Sequence, residues 1–184
     1  MTQNLDRACD VLDFWFFEAG PKQWFRKNRE FDQILAERFG ALHYAACRCE
    51  LFAWRDSSRG ALAEILLLDQ FSRNIYRDQA RAFGQDSLAL IVAQHLVAQG
   101  GDKDLPSEQR AFAYMPYMHS ESPVIHREAL RLFDQPGLER NLYHEQRHLA
   151  IIERFGRYPH RNAVLGREST EEELAFLRES GSSF

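Results

Sequence analysis

The chain is short of most features that would announce a function. Its 184 residues carry three cysteines (Cys9, Cys47, Cys49), an odd number with no zinc-ligand spacing, so neither a disulfide framework nor a structural zinc site follows. Reduced, buried thiols are the expectation. Lysine is scarce, since twenty of the 23 basic residues are arginine, and the net charge is −4. A weakly acidic chain gives no electrostatic reason to bind nucleic acid or an anionic membrane. The longest aromatic run, Phe14-Trp15-Phe16-Phe17, is too short to span a bilayer. Asp6, Asp10 and Asp13 stand where an export signal needs basic and then apolar residues, so a cytoplasmic location is expected. There is no glycine-rich phosphate loop, no low-complexity tract and no segment alternating with period two. Sheet proteins and P-loop nucleotide enzymes are thereby excluded.

What is present is helical periodicity. Hydrophobic residues make up 45% of the chain and aromatics 12%, with fourteen Phe, enough for an unstapled core in one domain over 1–184. Leu5, Ala8, Val11, Leu12, Trp15 and Phe16 form one apolar stripe, ended by Gly20-Pro21. Phe31, Ile34, Leu35, Phe39, Leu42, Ala46 and Cys49 form a second. A third opens near Ser58 and Gly60 and carries Leu62, Ile65 and Leu66. Asp86 reads as the N-cap of a fourth helix with Gly100-Gly101 as its stop. A short helix after Pro106 is expected to break at Pro116, and Ser122-Pro123 reads as N-cap and N1 of the next. A long helix covers about Leu138 to Phe155, and Ser169 and Thr170 with Glu172 and Glu173 cap the last. The class is all-α, with short connections favouring antiparallel helix pairs.

The informative positions are polar residues on apolar stripes. Asp69 and Arg73 continue the Leu62-Ile65-Leu66 face and are four apart, so they can pair. A buried carboxylate and guanidinium need further partners or a cleft, although an architectural ion pair would satisfy them equally. Three more clusters stand out. His119-Ser120-Glu121 follows a proline. His148 lies on the inward stripe Asn141-His144-His148-Ile151-Phe155, where a lone histidine is usually a satisfied core residue. The stretch Arg157-Tyr158-Pro159-His160-Arg161-Asn162 is dense in donors and lies within a locally basic run from Arg154 to Arg167. His144-Glu145-Gln146-Arg147-His148 matches the zinc-protease pattern HExxH, with Glu168 or Glu171 available as a third ligand. The extended form is missing, because Ile151 and Arg154 occupy the positions of Gly and the third His. No metal and no cofactor is expected.

These clusters coincide with longer motifs. Leu67-Leu68-Asp69-Gln70-Phe71-Ser72-Arg73-Asn74-Ile75-Tyr76-Arg77, His119-Ser120-Glu121, and Arg154-Phe155-Gly156-Arg157-Tyr158-Pro159-His160-Arg161-Asn162 with Leu165-Gly166-Arg167 resemble a bacterial domain-of-unknown-function family. Phe14-Trp15-Phe16, Trp24-Phe25 and the closing Ser169-Thr170 with Glu172-Glu173 fit it too. The resemblance implies a tetratricopeptide-like fold, antiparallel helix pairs in a right-handed superhelix, and no established activity. The family's polar signature falls on Asp69, Gln70, Arg73, Asn74, His119, Ser120, Glu121, His148, His160, Arg161 and Asn162, while Ser72 stands where the family often has Pro.

The leading expectation is a polar pocket for a small anionic ligand or a peptide end. Its candidate residues are Asp69, Arg73, Asn74, His119, Glu121, His148, His160, Arg161 and Asn162. Arg73 and Arg161 would be forked donors, with Asp69 orienting Arg73. The rivals are an enzyme of hydrolase type, with His119, His148 or His160 as acid or base, and a protein-interaction scaffold. Neither nucleic acid nor membrane is an expected partner, and self-association into a homo-oligomer is left open.

Overall fold

The structure, a computed structural model, describes residues 2–182, with side chains from residue 7 onward. The side chains of Leu5 and Asp6 therefore lie outside the described residues. Among the described residues there is no strand, and no helix is long and apolar enough to cross a membrane. The protein is all-α.

Among the described residues eleven α-helices follow in order: α1 (Thr2–Asp13), α2 (Pro21–Trp24), α3 (Arg29–Cys47), α4 (Ser58–Leu66), α5 (Ser72–Ile75), α6 (Asp86–Ala98), α7 (Ser107–Met118), α8 (Pro123–Phe133), α9 (Glu139–Phe155), α10 (Asn162–Leu165) and α11 (Glu171–Phe176). Two wide, π-type segments extend helices without breaking them: Phe14–Ala19 prolongs α1, and Leu67–Phe71 joins α4 to α5.

Helix α4 is the hub, packing against α1, α6 and α7. Its sequence suggested one apolar stripe, but residues 60–72 are buried all round. A helix that is covered on every side belongs at the centre of a bundle. Even Glu64 is fully buried there, held by a two-pronged pair with Arg55 at 2.7 Å on each arm. Around this hub Trp15, Phe14, Phe31, Phe39, Phe71 and Phe112 form one aromatic cluster, with Trp24 donating its indole N–H to the Trp15 carbonyl at 2.8 Å. From α6 onward, consecutive helices pack on each other as far as α9. A second, smaller apolar cluster forms at the C-terminal end from Ile151, Ile152 and Tyr158, flanked by Phe155 and Phe176.

Several local expectations need correction. Pro116 does not break α7, which runs on to Met118. Proline removes one backbone donor near a helix end that is about to terminate anyway, so the turn after it survives. His119 consequently caps a helix instead of opening a loop. Asp86 is the first residue of α6, and Gln85 occupies the N-cap without a side-chain hydrogen bond. The Asp86 carboxylate is taken up by two arginines, Arg73 and Arg161, instead of capping the helix. At the last helix Thr170 and Glu173 form the capping box, without Ser169 or Glu172. The thiols are not buried: Cys9 and Cys49 are exposed and Cys47 is half-buried. Cys49 lies past the end of α3 with φ 59°, so the helical stripe never reaches it.

Candidate functional site

The site is built on the wide turn between α4 and α5. There, three consecutive carbonyls each receive a donor from the side chain four residues on. Ser72 Oγ donates to Leu68 O at 2.6 Å, Arg73 to Asp69 O at 3.0 Å and Asn74 Nδ2 to Gln70 O at 2.9 Å. Widened turns of this kind recur at functional sites because they re-aim side chains. Here the turn places Asp69, fully buried, at the floor of a polar cluster.

Asp69 is held from three directions. Oδ1 accepts from His119 Nδ1 at 2.6 Å and lies 2.9 Å from the Arg73 guanidinium, while Oδ2 accepts from Gln70 Nε2 at 2.5 Å. Burial would raise its pKa, but Arg73 and then His119 outweigh that and hold the carboxyl well below the usual carboxylate range. On His119, burial and then the Arg73 charge push the imidazole pKa down, against the opposing pull of Asp69. The ring is therefore neutral near pH 7. Since Asp69 can only accept, Nδ1 carries the proton, and Nε2 is left with a bare lone pair. Nε2 has no hydrogen-bond partner among the described residues.

The second layer centres on Asp86. Its two oxygens accept a forked pair from Arg73 at 2.9 and 3.0 Å, and Oδ2 also accepts from Arg161 at 3.1 Å. Arg161 is 6% exposed, and its guanidinium is stacked between the rings of Phe83 and Tyr158, 4.6 and 4.5 Å from their centroids. Its other arm donates to the His119 carbonyl at 3.0 Å. Its Nε is buried with no partner, and burial followed by the nearby Arg73 charge lowers its pKa from the ordinary value. Residues 69, 73, 86, 119 and 161 thus form one connected network.

Above the network lies an open cleft of about 280 Å³, lined among others by Phe83, Asp86, Ser87, His119, Glu121 and Arg161. The uncapped N-terminus of α6 forms part of its wall. Glu121 accepts a forked pair from Arg167 at 2.7 and 2.9 Å and the Tyr158 backbone N–H at 2.8 Å. Beneath the wall, Tyr158 donates its hydroxyl to Met118 O at 2.5 Å. His126 bridges Glu145 (2.6 Å) and the Ser120 carbonyl (2.8 Å), so α8 and α9 grip the His119–Glu121 turn from behind.

Of the nine residues singled out in the sequence, Asp69, Arg73, His119, Glu121 and Arg161 come together around this cleft. His148 and His160 flank it through the Tyr158 ring, at 5.7 and 5.5 Å between centroids. Burial pushes them down to about 3 and about 4 respectively, so both stay neutral. Asn74 faces elsewhere, accepting from Arg77, which itself forks onto Asp32 of α3 at 2.6 and 2.7 Å. Asn162 is buried in the C-terminal segment, bonded to Ser169, Glu173 and Arg167. Both asparagines lock helices together. In the HExxH segment, Glu145 is fully buried and committed to His126, and His148 Nδ1 lies 2.7 Å from the His144 carbonyl. Among the described residues no group of three or more His, Cys, Asp or Glu is arranged to hold a metal ion.

Sequence reasoning missed Asp86, Arg167, His126 and Tyr158. Asp86 opens a helix, where a carboxylate is ordinary. Arg167 sits inside the Leu165-Gly166-Arg167 motif, which was the available signal.

A solved structure titled as a protein of unknown function, ATU0120, from Agrobacterium tumefaciens, is similar to this chain at 40% identity with a TM-score of 0.92, covering 96% of this chain and 99% of that one. No curated protein matches. A family profile described as "Bacterial protein of unknown function (DUF924)" matches residues 11–181, and the chain belongs to that family.

Proposed function

We propose that the cleft beside His119 and Arg161 binds a small anionic molecule, or the carboxylate end of a peptide. The observation that carries this reading is the convergence of two oxyanion-binding groups on one open cleft, the Arg161 guanidinium and the uncapped first turn of α6, with the His119 ring beside them. Helix N-termini and forked guanidinium groups both favour oxyanions. Asp69 and Asp86 keep the arginines in place while the site is empty, so ligand binding pays little ordering entropy.

A thermal-shift series with sulfate, inorganic phosphate and succinate, at ionic strength matched with chloride, tests the reading. A ligand at one hundred times its Kd adds about 2.7 kcal/mol to native stability. For a chain of this length that raises Tm by roughly 5–10 °C. Arg161→Lys keeps the positive charge but loses the fork, and is expected to fold and to lose the shift. Absence of any shift with all three anions, or an undiminished shift in Arg161→Lys, overturns the proposal.

A second reading is favoured by one observation, the short Asp69–His119 contact. A buried carboxylate holding Nδ1–H while Nε2 faces a cleft is how a general base is oriented. An acid/base enzyme would use the same pocket, and turnover of a bound compound lost in His119→Gln would distinguish it from a binding site.

A further inference from the structure

The charges around the cleft cancel in pairs. Three guanidinium groups, Arg73, Arg161 and Arg167, face three carboxylates, Asp69, Asp86 and Glu121, each carboxylate being held by at least one of those arginines. With His119 neutral the cleft has no surplus positive charge to neutralise an oxyanion. The other titratable groups facing His119 cannot supply one: His148 and His160 are pushed to about 3 and about 4 by burial, and burial pushes the Tyr158 phenol above its usual range, so it stays protonated and uncharged. Among the residues lining the cleft His119 is the one imidazole, and with Nδ1 held by Asp69 its Nε2 is the ring nitrogen left for a ligand.

We propose that the cleft takes up an oxyanion together with one proton, which is held on His119 Nε2 between the ligand and the Asp69 carboxylate. The inference rests on the anion-binding reading and assigns His119 as the residue that sets which anions bind and at what pH. Without a ligand an imidazolium would be buried and would sit beside Arg73, and Asp69 alone does not offset this, so the ring stays neutral. A bound oxyanion supplies that counter-charge and accepts the Nε2–H, while Asp69 continues to accept Nδ1–H. The imidazolium then has an acceptor at each nitrogen, and no group is left unpaired. The proton comes from solvent, and no bond other than this N–H is made. The site therefore prefers oxyanions that are fully ionised and can accept from Nε2. Binding and protonation are linked in sign: a ligand that raises the His119 pKa binds more tightly as pH falls, and the dependence flattens once pH is below the pKa of the empty site.

Isothermal titration of the full chain with sulfate, which does not titrate near neutrality, reads the proton directly. Titrations at one pH in buffers of different ionisation enthalpy are expected to give uptake approaching one proton per sulfate. The apparent Kd is expected to weaken by up to roughly tenfold per pH unit above neutrality. His119→Gln should still bind sulfate weakly, with no proton uptake and a flat pH profile. Should that variant fail to fold, the His119 Cε1–H resonance of the natural chain provides the second measurement. Its midpoint must move to higher pH when sulfate is saturating. Sulfate binding without proton uptake, or an unmoved His119 midpoint, overturns this inference while leaving the anion site intact. Absence of sulfate, phosphate and succinate binding at every pH overturns both.

Discussion

Removing Asp86 exposes how much of the site is scaffold. The carboxylate accepts three hydrogen bonds from two arginines, and those arginines differ in what remains when it is gone. Arg73 keeps Asp69 at 2.9 Å. Arg161 keeps a single bond to the His119 carbonyl, its Nε is already unpartnered, and it is 6% exposed. Asp86→Ala thus leaves a nearly buried cation without a counter-ion, a change that costs about 3–5 kcal/mol when a buried pair is broken. The Asp86 side chain is 17% exposed and borders the cleft, so water relieves part of this, and the low end, about 3 kcal/mol, is the expectation. Loss of a negative charge from the first turn of α6 adds about 0.3–1 kcal/mol. Urea unfolding followed by circular dichroism should show the midpoint falling with the slope unchanged, and Tm dropping by roughly 6–12 °C. Arg161→Met removes the stranded cation and retains an apolar stem between Phe83 and Tyr158. In the double variant the two costs should be less than additive by about 1–3 kcal/mol. A cost for Asp86→Ala below about 1 kcal/mol, or additive costs in the cycle, would refute the reasoning that Asp86 neutralises Arg161.

Acidification should destabilise the fold well before its carboxylates titrate. His43 and His160 are held at about 4 and His148 at about 3, each mainly by burial, below the ordinary value of 6.5. Between 6.5 and those values the unfolded chain binds more protons than the native one. Stability is therefore complete above pH 6.5 and falls with pH by up to about 1.4 kcal/mol per unit for each histidine. A urea midpoint unchanged from pH 7 to pH 5 would contradict this. Arg55→Ala strands the fully buried Glu64 carboxylate and should cost about 3–5 kcal/mol, whereas Arg131→Ala, from the exposed pair with Glu128, should cost under about 1 kcal/mol. Equal costs in urea would show that burial is not what sets them apart. Gly156 ends α9 with φ 69° and has open space around its Cα, so Gly156→Ala should cost about 1–2 kcal/mol from backbone strain alone, read as a shift in the thermal midpoint.

Local chemistry alone carried much of the architecture. Apolar spacing of three and four, the Gly20-Pro21 stop, the Ser122-Pro123 start and the Thr170 to Glu173 box are properties of short segments, and each reappears at its place in the fold. Asp69 and Arg73 also declared themselves, because a charged pair on an apolar face conflicts with its surroundings wherever the helix packs. The resemblance to a known family was legible for the same reason: its motifs are contiguous. What the tertiary structure alone decided is which of those polar residues meet. Asn74 and Arg73 are neighbours, yet the wide turn at residues 67–71 sends one toward Arg77 and Asp32 and the other toward Asp86. Asp86 looked like an ordinary first-turn carboxylate, since nothing within its own segment requires two arginines brought from positions 73 and 161. Burial is likewise a sum over the whole chain, which is why Cys9 and Cys49 proved exposed and Glu64 proved buried. A helix face records only its own periodicity, whereas contact across ninety residues depends on how every intervening helix packs.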